Sequence, residues 1–375
     1  MLGKIQQKKS ARIDTFDLLR GYFLIVIIIN HLSYFPSGLD ILTGRGVLYV
    51  SSAEGFFLVS GILLGNVRGR KLMQKSFATV ATLLLKRSLQ LYITSIILVL
   101  VFTWLGWTFF MDNPNLKASI APTGTPLITL LWQTISLQYS YGWADFLRYY
   151  AIFLAAAPIM IWLLRNKLWY LVVIISFGIW TLYPMTSGGL LWLPLSWQTI
   201  FFSGLIIGFY WNTLSNWYNR IPSPWQARFG AALFASFITT VCLSALLVFS
   251  SYYNSNASLS ALHHDIGDWF NKDRMPIPRL LLGAVWFWGL FWLVRRYESW
   301  FVRKIGWLVL PLGTNSLYVY TIQAFIVFFF HLFLLPPQVF VQQSAWWINL
   351  GVTLLAIAIV WVAVKQKFLF KIIPR

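Results

Sequence analysis

Residues 14–32 read DTFDLLRGYFLIVIIINHL, a mostly apolar stretch that also carries charged side chains. The apolar run continues to residue 34 and so reaches the length of about 20 residues that a helix needs to cross a bilayer. Similar runs recur almost to the C-terminus. The chain of 375 residues is 58% hydrophobic and only 10% charged, whereas soluble domains carry about 25% charged residues. We therefore predict an all-α, polytopic membrane protein that forms a single integral-membrane domain over residues 1–375.

The basic N-terminus resembles the start of a signal peptide, since Lys4, Lys8 and Arg12 precede the first apolar run. That run contains Asp17 and Arg20 and lacks a cleavage site of small residues. We expect it to stay attached as the first span, after a cytoplasmic segment at 1–14.

The sequence holds eleven candidate runs, and the distribution of lysine and arginine decides how many of them cross. The runs are 15–34, 47–66, 88–110, 127–140, 145–164, 168–185, 195–212, 229–250, 279–294, 311–334 and 345–364. The run at 127–140 is short and contains several polar residues. If it is interfacial or re-entrant, about 22 of the 29 basic residues lie in the cytoplasm, as the positive-inside rule requires. We therefore predict about ten spans, with the N-terminus and a basic tail at 365–375 both cytoplasmic.

The formal net charge of +19 follows from these clusters between apolar runs. It indicates topology and contact with anionic membrane lipids, and it does not predict binding of nucleic acid. Cys242 is the single cysteine and lies in an apolar run, so we expect no disulfide framework, and we predict no metal site.

Charged groups inside a span are functional candidates because they are costly unless paired or hydrated. Arg20 and His31 are eleven residues apart, which places them on one helix face about 16 Å apart along the axis. Arg20 could instead extend its charged end to the cytoplasmic headgroups, and His31 could be a neutral hydrogen-bonding residue. Asp14 fits an N-cap, and Asp17 fits a pair with Arg20.

The second run carries SSAEGFFLVSG at 51–61, with Glu54 at a depth comparable to that of His31. A carboxylate beside an imidazole raises its basicity and suits a general base. A purely structural Glu–His or Glu–Ser pair is the alternative. The motifs of P-loop, dinucleotide-binding, serine-hydrolase and zinc-protease enzymes are absent from the sequence.

Five segments resemble the integral-membrane acyltransferases that O-acylate cell-surface glycans, and most closely the OpgC-like branch that succinylates osmoregulated periplasmic glucans. They are FDLLRGYFLIVIIINHL (16–32), AEGFFLVSGILLG (53–65), DFLRYYAIFLAAAPIMIWLL (145–164), LPLSWQTIFFSGLIIGF (193–209) and GTNSLYVYTIQAF (313–325). Asn30 occupies the position before the histidine, at which this branch tends to have an acidic residue. Gln323 occupies a position after the SLYVY segment at which the family often has a histidine.

The resemblance implies His31 as the catalytic centre, with Arg20 as its essential partner and Glu54 as a motif acid. Asp17 would help to hold the charge states. Trp197, Gln198 and Gln323 would contribute to the acceptor site or tunnel wall.

The resemblance further implies cytoplasmic acyl-CoA as the donor, a glycan on the outer face as the acceptor, and the inner membrane of a bacterium as the location. CoA phosphates need cations, and one cytoplasmic cluster offers Arg68, Arg70, Lys71, Lys86 and Arg87. Simple topology is the other explanation of this cluster. The acyl group stays open between succinyl and acetyl, and the sequence makes no prediction of the oligomeric state.

A transporter or flippase for a glycan or lipid-linked glycan is the alternative function, since it would use the same charges within the membrane. The absence of detectable internal repeats argues against it.

Overall fold

A computed structural model describes residues 14–111, 113, 120–143, 145–183, 192–334, 346–371 and 373. Regular structure in these residues is helical throughout, as the sequence predicted. The α-helices are α1 (Asp14–Leu32), α2 (Asp40–Thr43), α3 (Ser52–Leu64), α4 (Phe77–Phe109), α5 (Leu127–Ile135), α6 (Asp145–Arg165), α7 (Trp169–Thr181), α8 (Trp192–Phe209), α9 (Trp211–Asn219), α10 (Ser223–Tyr252), α11 (Ala257–Ile266), α12 (Ile277–Arg296), α13 (Glu298–Thr314), α14 (Ser316–Phe333) and α15 (Trp346–Lys365). Residues 1–13 and 374–375, parts of the two predicted cytoplasmic ends, lie outside the described residues.

Seven helices in the described part of the chain are long and apolar enough to cross a membrane: α1, α4, α6, α10, α12, α14 and α15. The bent pair α8 and α9, which meet at 66°, raises the number to eight. The predicted run 47–66 contains α3 and continues into a π-helical segment, Gly65–Arg70. The run 168–185 contains α7, which has 13 residues. Each of the ten runs predicted to cross thus overlaps a helix of the structure.

Helix α5 covers only part of the run 127–140. Its nine residues measure about 13 Å at 1.5 Å per residue, less than half of the roughly 30 Å hydrocarbon core.

Helix α1 lies at the centre of the bundle and is mostly buried. It packs along α3, α13 and α14 and also touches α12. Its course relative to α14 follows from two side-chain contacts, because Arg20 meets Ser316 and His31 meets Gln323. The two helices therefore run parallel.

The contact between α3 and α8 depends on glycines. A Cβ at Gly61 or Gly65 would collide with the backbone of α8, and one at Gly204 or Gly208 would collide with the backbone of α3. Small residues four apart let membrane helices approach this closely. Residue numbers increase in the same direction along the contact, from Gly61 against Phe201 to Gly65 against Leu205. Helices α3 and α8 therefore also run parallel.

The start of α1 marks one end of the bundle, which we call the basic end; the opposite end is the far end. Arg165 donates hydrogen bonds to the carbonyls of Leu72 and Lys75 there. Glu298 accepts from Thr15 and pairs with Arg295. The clusters at 68–75, 165–167, 295–304 and 365–371 all meet at this end.

Helix α13 is an element that the sequence analysis missed, since it assigned only residues from 311 onward to a run. The backbone of α13 touches α1 closely, with Val309 against Gly21 and Gly313 against the carbonyl of Asp17. The charged residues Arg303 and Lys304 made the segment read as a loop. Helix α13 begins at Glu298, which accepts a hydrogen bond from Thr15, and ends just before Ser316, the partner of Arg20. It therefore lies across the basic end of α1.

Candidate active site on the Arg20–His31 face of α1

Arg20 lies one and a half turns into α1 and is half-buried. Its guanidinium donates a hydrogen bond to the Ser316 hydroxyl at the start of α14. It also lies over the ring of Phe56, 5.8 Å from the ring centre. These contacts turn Arg20 into the bundle, as the shared-face argument predicted.

His31 lies on the same face, nearer the far end. Its Nδ1 is 3.3 Å from Oε1 of Gln323, and Nε2 of Gln323 donates to the carbonyl of Trp143 at 3.2 Å. The carbonyl of Trp143 can only accept, so the amide nitrogen of Gln323 must face it, and the amide oxygen must face His31. Nδ1 of His31 therefore carries the hydrogen, which leaves Nε2 as the basic nitrogen of the neutral ring.

Aromatic rings enclose this histidine. Tyr320 lies 6.5 Å from it between ring centres, and Phe146 packs against Tyr320. A second histidine, His331, packs on Trp143 at 4.6 Å and donates from Nε2 to the carbonyl of Leu32. The sequence analysis had found no function for His331, and its position next to Trp143 depends on tertiary packing.

Glu54 is bound by an arginine that the sequence analysis did not single out. Nε of Arg279 donates to Oε1 of Glu54 at 2.8 Å, and Nη2 donates to the same oxygen. Arg279 is 3% exposed and Glu54 4%. The charge of Glu54 is therefore balanced by Arg279 of α12. The sequence analysis had instead expected Glu54 to pair with His31. Oε2 of Glu54 also accepts a hydrogen bond from the backbone N–H of Ser51 at 3.4 Å. This contact resembles the structural Glu–Ser pair that the sequence analysis kept as an alternative.

The loop before α12 adds a cation near both groups. Arg279 donates to the carbonyl of Phe270, and Ser196 donates to the carbonyl of Asp273, so the loop is fastened to α12 and α8. Lys272 at its tip is exposed and acts electrostatically on both His31 and Glu54. Only the folded loop brings Lys272 to this site, which explains why sequence spacing did not reveal it.

The five cations of the expected donor site divide into two groups. Arg68 and Arg87 are half-buried, and Arg20 and Arg68 both act electrostatically on Arg87. The exposed residues are Arg70, Lys71 and Lys86. Like charges repel, and an anion bound near Arg87 would relieve this repulsion. The arrangement suits phosphate oxygens.

Asp17 is buried in the first turn of α1, one turn before Arg20. It lies where α13 crosses α1, because Gly313 packs on its carbonyl.

Trp197 and Gln198 are buried in α8 and lie behind this site. Trp197 packs on Phe57, 5.5 Å between ring centres, and Phe57 stacks on Phe146. Gln198 accepts from the Ser176 hydroxyl at 2.8 Å and donates to the Ser176 carbonyl at 2.7 Å, which fastens α8 to α7. Trp197 is connected to His31 through the rings of Phe57, Phe146 and Tyr320.

Together the fold and this face define a helical membrane protein whose first helix carries a half-buried arginine and a histidine toward the bundle interior. The family model described as OpgC protein matches residues 11–372, nearly the whole chain. The chain therefore belongs to the OpgC family. Membership suggests an acyltransferase that modifies glycans. Comparisons with curated proteins and with solved structures give no match.

Proposed function

We propose that this protein transfers a succinyl or acetyl group from cytoplasmic acyl-CoA to a hydroxyl of a glycan on the outer side of the bacterial inner membrane. The observation that carries the proposal is the contact of His31 Nδ1 with the amide oxygen of Gln323, from which the tautomer of the ring follows. Its Nδ1–H is held by Gln323, so Nε2 is the nitrogen that takes up a proton. A positioned neutral imidazole is the commonest general base in enzymes.

In this mechanism Nε2 of His31 removes the proton of the sugar hydroxyl while the hydroxyl oxygen attacks the thioester carbonyl. The new C–O ester bond forms, the C–S bond breaks, and CoA leaves as the thiolate. The imidazolium then returns its proton to that thiolate. Gln323 keeps the ring in the reactive tautomer and orientation.

The donor would bind at the basic end. Arg20 and Arg68 both act electrostatically on Arg87 there, and guanidinium groups bind phosphate through paired hydrogen bonds. The acyl arm of CoA would then follow the Arg20–His31 face for the roughly 16 Å that separates these residues along the helix. Arg70, Lys71 and Lys86 would add positive charge at the entrance.

The acceptor would approach from the far end. In this proposal Glu54 acts through Arg279, which fastens α3 and the Lys272 loop together beside the histidine. Asp17 would balance charge around Arg20, and Trp197 and Gln198 would support the wall formed by Phe57 and Phe146.

We further propose ten spans with both ends of the chain cytoplasmic. Helix directions support this count. α1 and α14 run parallel, as do α3 and α8, which fits the first and ninth and the second and sixth spans. α10 and α12 run antiparallel, since Gly230 packs on Trp292 and Trp286 donates to Thr240. α13 begins and ends at the basic end and adds no crossing.

The test is acyl transfer by protein purified in detergent. With succinyl-CoA or acetyl-CoA and a β-glucan, we expect release of free CoA thiol together with an acylated glucan detected by mass spectrometry. Group transfer needs no sealed membrane, whereas transport does. Failure to release CoA or to acylate glucan with either donor, by protein that remains folded, would refute the proposal.

A further inference from the structure

A cavity of about 500 Å³ lies within the bundle, away from the Arg20–His31 face. Its walls come from α1, α3, α7, α8, α10 and α12, together with the loop that contains α2, and neither Arg20 nor His31 lines it. Tyr22, Phe23 and Val26 form the α1 wall. At 100° per residue they lie on a face turned roughly 110° from Arg20. The cavity therefore lies against another face of α1 than Arg20 and His31, and it adjoins the proposed active site at Glu54 and Arg279.

The lining is apolar over most of the cavity's length and polar at the far end. Phe237, Val241, Ala284 and Leu290 are among the apolar residues, whereas Ser51, Ser52 and the Glu54–Arg279 pair lie at the far end. From Arg279 to Leu290 the wall of α12 rises about 16 Å. That length matches one leaflet of a hydrocarbon core roughly 30 Å thick.

The cavity reaches the lipid-facing surface through exposed apolar side chains. Ile41 and Leu42 of α2 are 91% and 63% exposed, and the carbonyl of Leu42 accepts from the Tyr22 hydroxyl. This bond shows that α2 folds back along α1 toward the middle of the membrane. Phe177 and Ile238, also lining residues, are likewise exposed.

We propose that the cavity binds one hydrocarbon chain of a phospholipid from the leaflet at the far end. An apolar cavity excludes water and takes up apolar molecules, and at this depth the molecules around it are lipid chains. The volume lies within the range of about 300–1,000 Å³ typical of ligand pockets. The polar end, formed by Ser51, Ser52 and the Glu54–Arg279 pair, would face the headgroup.

Gly283 of α12 offers a direct test because it faces the cavity. A Cβ there would lie 3.6 Å from Oε2 of Glu54 and 3.8 Å from Cγ1 of Val50, which is ordinary contact. The Cβ of Gly283→Leu therefore meets no backbone atom, the rest of the side chain should extend into the cavity, and leucine also favours the helix. Gly351→Leu is the matched control, since Gly351 is exposed on α15 and a Cβ there meets no atom within 4 Å.

The experiment is native mass spectrometry of protein taken from nanodiscs of phosphatidylethanolamine and phosphatidylglycerol. Wild type and Gly351→Leu should each retain one phospholipid more than Gly283→Leu. Equal retention by all three proteins would overturn the proposal, as would displacement of the retained phospholipid by added polyprenyl-linked saccharide. This measurement requires no acyl transfer, so its outcome is independent of the proposed enzymatic function.

A second measurement uses only wild-type protein, which covers the case that Gly283→Leu fails to fold. A phosphatidylcholine with a photoactivatable group near the end of one chain should crosslink to peptides that contain 237–241 or 284–290. Crosslinks confined to the outward surface of α10, at Leu243 and Leu246, would contradict the proposal.

Discussion

Arg279 of α12 donates two hydrogen bonds to a single oxygen of Glu54 on α3, and both side chains are buried. Removal of one partner leaves an uncompensated buried charge, whereas replacement of both by apolar groups is often neutral. This asymmetry gives a prediction about stability. Arg279→Met should destabilise the folded protein by about 3–5 kcal/mol, measured as equilibrium unfolding in detergent.

The double variant Glu54→Leu/Arg279→Met is the control for that prediction. It should recover most of the lost stability. A double variant as unstable as Arg279→Met alone would show that the packing of the arginine side chain, and not its charge, is what matters.

The second prediction concerns His31. His31→Gln preserves size and hydrogen bonding but has no basic nitrogen, so the rate of acyl transfer should fall about 10²–10⁴-fold. The apparent KM for acyl-CoA should change little, because the proposal places the donor phosphates near Arg20, about 16 Å from His31 along the helix. Near-normal transfer by a folded His31→Gln protein would make His31 a structural residue.

The third prediction concerns Gln323, which holds the histidine tautomer. Gln323→Leu removes that acceptor and leaves the Trp143 carbonyl without its partner, so kcat should fall on the order of tenfold. Gln323→Asn should restore part of the loss if the amide can still reach Nδ1. A change in the KM for the donor with unchanged kcat would instead place Gln323 in donor binding.

The fourth prediction separates a donor site from simple topology. Arg87→Ala and Arg68→Ala should each raise the KM for acyl-CoA roughly tenfold or more, as expected for loss of a charged hydrogen bond. Lys86→Ala is the matched control, because Lys86 neighbours Arg87 but is exposed. It should change the KM little. Equal effects of Lys86→Ala and Arg87→Ala would indicate a general effect of net charge.

The fifth prediction concerns topology and uses cysteine labelling in a Cys242→Ser background. Cysteines at 258 and 272 should react with a membrane-impermeant maleimide in spheroplasts. Cysteines at 165 and 371 should react only after permeabilisation. Labelling of 165 or 371 from outside would rule out ten spans with cytoplasmic ends.

The sequence correctly predicted features that depend on the geometry of a single helix. Apolar length located the runs, and the 3.6-residue period placed Arg20 and His31 on one face. Both follow from local geometry. Contacts between distant segments were not predictable in this way. Arg279, Lys272 and His331 reach the site only because α12, its preceding loop and α14 pack beside α1 and α3.

The partner of Glu54 shows the limit most clearly. Depth along two antiparallel helices suggested His31, since both residues lie near the far end. The rotation of α3 about its axis decides which neighbour the carboxylate faces, and that rotation is set by the glycine contact with α8. Hydropathy contains no information about it.

The glycine contact between α3 and α8 also has a mechanical consequence. Backbones that touch over about two turns cannot slide or separate without losing every contact at once, so these two helices should move as one rigid body. If the proposed sugar acceptor requires the bundle to widen, we expect the widening where Phe146 of α6 meets Tyr320 of α14. Restricting that contact with a disulfide should trap the enzyme closed, whereas one between α3 and α8 should leave turnover intact.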